Sequence, residues 1–239
     1  MYSRTPAITL LLWLTILPCL TDAADTDPRK PETRSIRSWV ASDPETAGKI
    51  ALEELRAIGL TRDRNHEMYA IALGFVSLDE TKAAQLGAGL RTYDVPLNSL
   101  LDFHEPDDPV KLLVDTHEII FTVLVDVQPR SSLTIAELDP GKGWKIFRKG
   151  RSALARSIER YRTSKEDNLI LVSALGLRFL GRHGPTDHED LVLVPLEDAS
   201  RFEIQAGRPE WADDLFTRVS KEVLKVWEKD GPKQPKPHP

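Results

Sequence analysis

A single cysteine, Cys19, stands among 239 residues. One thiol excludes an intramolecular disulfide, a CxxC redox pair and any multi-cysteine zinc site. Excess positive charge is lacking too. The chain carries 32 Lys and Arg against 37 Asp and Glu, a formal charge of −5, which argues against a general nucleic-acid binder. Long apolar runs are also missing. A bilayer-spanning helix needs about 20 apolar residues, and the run at residues 7–17 (AITLLLWLTIL) stops at Pro18.

Nucleotide-binding glycine patterns are missing as well. Gly87-Ala88-Gly89 and Gly141-Lys142-Gly143 lack the remaining positions of a dinucleotide fingerprint or a phosphate loop. Ser131-Ser132 is the conspicuous serine pair, but it has neither a GxSxG elbow nor an SxxK spacing, and alternation through Leu133 and Ile135 explains both serines as strand positions. No motif for an enzyme is present.

What is present begins with an address. Arg4, the apolar run and the small-residue exit at Thr21-Asp22-Ala23 read as a signal peptide over residues 1–23, cleaved after Ala23 to leave a periplasmic or secreted protein. Cys19 invites a lipoprotein reading, which Pro18 immediately before it disfavours. The mature chain then has no thiol. Residues 24–41 form a polar leader with Pro28 and Pro31, and residues 229–239 a proline-rich tail; both are expected to be disordered.

Between them, residues 42–228 hold one domain, and 41% hydrophobic residues suffice for its core. Ser42-Asp43-Pro44-Glu45 opens a helix with apolar positions Ala47, Ile50, Ala51, Leu55 and Ile58, closed by Gly59. Residues 67–77 fit strand or helix equally, and 79–86 fit a short helix stopped by Gly87. From Leu90 the pattern turns β-rich, with strands at 117–127, 130–138 and 144–150, and turns at Gln128-Pro129 and Asp139-Pro140-Gly141. A helix follows at 151–165, then strands at 169–175, 176–182 and 190–196, and a last helix from Pro209 to Trp227. The expected fold is α+β, an antiparallel meander with helices packed on one face.

Two clusters of side chains suggest chemistry. His183, Asp187 and His188, with Glu189 and Asp190, mix imidazole and carboxylate as zinc or another divalent metal would require, although no recognised ligand spacing is present. They would support a metal-assisted or acid/base hydrolase of the envelope. His104-Glu105-Pro106-Asp107-Asp108-Pro109 has similar donors, but its prolines read as an exposed turn.

The stronger signal is electrostatic. From Lys142 to Lys165 nine bases accompany one acid, Glu159, a local charge of +8; 23 bases and 36 acids elsewhere leave −13. On the helix within this segment Leu154, Ile158 and Tyr161 share one face, with Arg156 and Arg160 nearly opposite. Arg148, Lys149, Arg151, Arg156 and Arg160 therefore form a candidate basic face. It suits an envelope protein with an acidic surface, or an anionic membrane surface, and makes a non-catalytic binding or accessory module the leading expectation, with no cofactor. The competing expectation is a solvated helix face whose arginines pair with acids of the same domain.

Overall fold

The computed structural model describes residues 40–61, 63–104, 107–137, 139, 141–183 and 191–230. The signal peptide with Cys19, the leader up to residue 39 and the tail from residue 231 lie outside the described residues.

The described elements begin with helices. α1 (Pro44–Ile58) is capped by Asp43, whose carboxylate accepts from the Thr46 N–H, and Pro44 occupies the first turn where no backbone donor is needed. That backbone bond and the Thr46 hydroxyl hold the Asp43 carboxyl below its ordinary value. α2 (Arg64–Ala72) begins in the same way at Asp63. The ambiguous segment 67–77 is thus a helix ending, not a strand, because the cap lies upstream of the apolar run. α3 (Leu78–Ala83) stops at Ala84, before Gly87, which falls inside the next strand.

Among the described residues, eight strands form one sheet in the order β4-β3-β2-β1-β5-β6-β7-β8. They are β1 (Gln85–Asp94), β2 (Val114–Val125), β3 (Gln128–Glu137), β4 (Trp144–Gly150), β5 (Asn168–Val172), β6 (Leu177–His183), β7 (Leu191–Pro195) and β8 (Glu210–Trp211). β1 to β4 make an antiparallel meander, and β5 to β8 make a second one. The two meet where β1 and β5 pair in parallel through Thr92↔Leu169, Tyr93↔Ile170 and Asp94↔Leu171. A single continuous meander cannot produce a parallel pair, so the expected topology is corrected at this one junction. It requires a crossover, and α5 (Ser152–Tyr161) supplies it between β4 and β5. The sequence reading also missed α4 (Leu97–Leu101), which has no side-chain cap to announce it.

The β2–β3 hairpin turns at Asp126 and Val127, both at positive φ. Pro129, expected in the turn, lies within β3 opposite Leu124, beside a register shift. A proline in a ladder is tolerated at such an irregularity.

The helices do not all share one face, which corrects the expected arrangement. Leu90, Ile120, Leu169, Leu180 and Val194 line one face and bury Leu154 and Ile158 of α5. On the opposite face, Phe121, Val123, Leu133 and Ile135 pack under α1, and Ile170, Val172, Phe179 and Leu193 pack under α4 and α6 (Ala212–Asp230). The reason is visible in the strands. Phe121 alternates with Ile120 and Ile170 with Leu169, so both faces of the central strands are apolar and each needs a cover. Within the α6 cluster, the Phe103 and Phe216 rings meet edge to face with centroids 6.1 Å apart.

Gly74 joins the helical layer to the sheet. Its φ is +104°, and a Cβ there would stand 2.3 Å from the Arg130 carbonyl and 2.6 Å from the Ser152 Cβ. Both obstacles are fixed, one in β3 and one at the start of α5. Gly74→Ala is expected to destabilise the fold by more than about 1 kcal/mol, read as a lowered urea midpoint with an unchanged slope; an unaltered midpoint would contradict the close approach.

Candidate basic face

α5 is amphipathic in the way its sequence requires. Leu154, Ala155 and Ile158 are buried, while Arg156 and Arg160 are exposed. Neither arginine has a carboxylate within ion-pair distance among the described residues; Arg160 lies over the ring of its neighbour Tyr161, with its Cζ 5.9 Å from the centroid.

Arg148 and Lys149 are successive residues of β4 and therefore point to opposite faces of the sheet. Lys149 turns toward α1, where its ammonium meets the Glu54 carboxylate at 2.7 Å. It is thereby set apart from the side that carries α5. Arg148 stays on the α5 side, opposite Thr134, with its guanidinium 4.5 Å from the ring centre of Phe147.

Arg151 is the N-cap residue of α5 and adopts a left-handed conformation, φ 64° and ψ 51°. Its side chain makes no capping bond. Partial burial of its guanidinium lowers its pKa, and Arg148 and Arg178 lower it further, against an opposing pull from Glu118. Three arginines from β4, the α5 N-cap and β6 thus lie within electrostatic reach of one another. Arg178, which sequence reasoning missed, has a partner in Glu197 at 2.6 Å. The signal for it was the alternation of β6, where Arg178 and Leu180 share the α5 side.

Other bases of the segment do structural work. Arg162 donates to the carbonyls of Ala88 at 2.8 Å, Gly89 at 3.2 Å, Ser164 at 2.9 Å and Lys165 at 3.0 Å, which fastens the end of α5 to β1. Burial pulls its pKa down despite Glu159 and Asp167 nearby. Lys142 pairs with Asp139 at 2.8 Å. Of the five proposed face residues, then, Arg148, Arg151, Arg156 and Arg160 stand without a carboxylate partner among the described residues, and Lys149 does not belong with them.

His183 ends β6 opposite Leu191, but its side chain, Asp187 and His188 lie outside the described residues. Among the described residues no group of three or more His, Cys, Asp and Glu is placed to hold a metal ion. Near residue 104 the carboxylates serve the backbone: Asp107 accepts from the His104 N–H at 3.0 Å, and Asp108 caps the 3-10 turn Pro109–Leu112. Ser131 and Ser132 are buried in β3, and Ser132 donates to the Gly150 carbonyl. No described helix is long and apolar enough to cross a membrane.

A groove of about 570 Å³ runs along the start of α6, lined by Arg208, Trp211, Asp214 and Lys221 among others. Arg218 and Glu210 pair beside it. Its charges are mixed, and no single ligand chemistry follows from them.

Asp167 holds the basic helix in position. It is fully buried, accepts from the N–H groups of Thr163 at 3.0 Å and Ser164 at 3.3 Å, and lies 3.9 Å from the Arg182 guanidinium, which also reaches the Thr163 hydroxyl. The carboxylate is what satisfies those two N–H groups, and its loss leaves them without that acceptor. Asp167→Ala is expected to cost about 1–3 kcal/mol in chemical denaturation, and an unchanged midpoint would show that the carboxylate does not hold this turn. No protein-family model, curated protein or solved structure matches this chain.

Proposed function

We propose that this chain is an exported, non-catalytic binding module of the cell envelope, which presents the basic side of α5 to an acidic protein or anionic surface. One observation carries the reading. Arg148, Arg151, Arg156 and Arg160 lack carboxylate partners among the described residues, in a chain whose overall charge is −5. Arginines with no carboxylate in ion-pair contact among the described residues are left to attract an outside anion. Arg156 and Arg160 fit a contact role best, since their helix is anchored by Leu154 and Ile158 and both side chains are exposed.

Export rests on the residue pattern of the first 23 positions. N-terminal sequencing of protein recovered from the periplasm is expected to begin at Ala24; recovery with Met1 intact in the cytoplasm would remove the envelope from the proposal.

Replacing Arg156 and Arg160 together by Glu reverses two exposed charges without touching the core. Affinity for phosphatidylglycerol vesicles or an acidic polypeptide is expected to fall at least about tenfold, and wild-type binding is expected to weaken steeply as salt rises. His188→Ala should change neither. Binding indifferent to salt and to the double substitution would overturn the basic-face reading.

A further inference from the structure

Glu159 is the one acid between Lys142 and Lys165. It follows Arg156 on α5 by three residues, the spacing at which opposite charges on a helix meet. Such a pair would cancel one of the exposed positive charges of the basic face. It is not formed. The Glu159 carboxylate accepts instead from the Thr122 hydroxyl at 2.5 Å, and Arg156 has no carboxylate within ion-pair distance among the described residues.

The contact is built from beneath the helix. Thr122 belongs to β2, two residues beyond Ile120 and so on the α5 side of the sheet, and it is fully buried. Gly87 of β1 leaves the space this hydroxyl needs, since a Cβ there would stand 2.3 Å from the Thr122 Oγ1. Glu159 is half-buried, whereas Arg156 and Arg160 are exposed. The hydroxyl therefore draws the carboxylate toward β2, away from the solvent side that carries the two guanidinium groups. Arg162, three residues further along, feels Glu159 electrostatically but directs its donors to the carbonyls of Ala88, Gly89, Ser164 and Lys165.

Without the Thr122 hydroxyl, Glu159 keeps its charge and loses its donor. A part-buried carboxylate oxygen left unpaired is unfavourable, and with Arg162 engaged, Arg156 is the donor that helix geometry brings within reach. We propose that Thr122 regulates the basic face by holding Glu159 away from Arg156, and that releasing Glu159 closes the face through an internal ion pair. This rests on the basic-face reading of α5 and names the residue on which the availability of Arg156 depends.

The test measures binding of the full chain to phosphatidylglycerol vesicles and to polyglutamate across a range of salt. Thr122→Val, which removes the hydroxyl and keeps the shape, is expected to lower affinity about two- to fivefold, up to the contribution of one basic residue beside an anionic surface. Thr122→Ser keeps the hydroxyl and should bind as the parent chain does. Adding Glu159→Gln to Thr122→Val should restore parental affinity, because the amide has no charge with which to cancel Arg156; a merely structural defect would not be restored. Glu159→Asp checks the same point without touching the buried threonine. Its carboxylate is one methylene too short to stay on Thr122, so affinity should fall in the same range although the charge is kept. Parental affinity in Thr122→Val or in Glu159→Asp, or a loss in Thr122→Val that Glu159→Gln does not restore, would overturn the proposal and leave the basic-face reading intact. A parent chain that binds neither probe would remove both.

Discussion

Leu154 and Ile158 of α5 rest on Leu90 and Ile120 from the first meander and on Leu169, Leu180 and Val194 from the second. The integrity of the sheet depends on this packing, because the hydrogen-bonded seam between the meanders covers three residue pairs. The same helix that bridges the seam displays Arg156 and Arg160 outward. Burial on one side therefore fixes the position of the charges on the other, and Asp167 and Arg162 lock its end against β5, β6 and β1. An anion-binding surface gains from such rigidity, since little conformational freedom is left to lose on contact.

Local signals in the sequence were legible where a residue type has one physical use. Asp43-Pro44 marked the start of α1, and alternation marked β2 to β7 closely. Long-range relations were not legible. The parallel contact between β1 and β5 involves residues with no special composition. The apolar residues on both sides of the central strands, such as Ile120 beside Phe121, were the available clue that both faces needed cover.

The charge asymmetry shows the same division. Counting located the basic segment at residues 142–165, and helical spacing separated Arg156 and Arg160 from the buried stripe. Spacing could not show that Lys149 crosses to Glu54 on α1, that Arg162 is consumed by four carbonyls, or that Arg178 approaches Arg151 from a different part of the chain. Each is a tertiary contact, and each changes which charges a partner would meet.

The parallel pairing of β1 with β5 also bears on how the chain finds its fold. Each meander pairs strands that are neighbours in sequence, whereas β2, β3, β4 and α5 all lie between the two strands of the seam. Loop-closure entropy and high contact order make closing such a seam slow. In the finished fold Leu90 and Leu169, one from each side of that seam, are covered by Leu154 and Ile158 of α5, so the helix that crosses between the meanders also shields their junction from water.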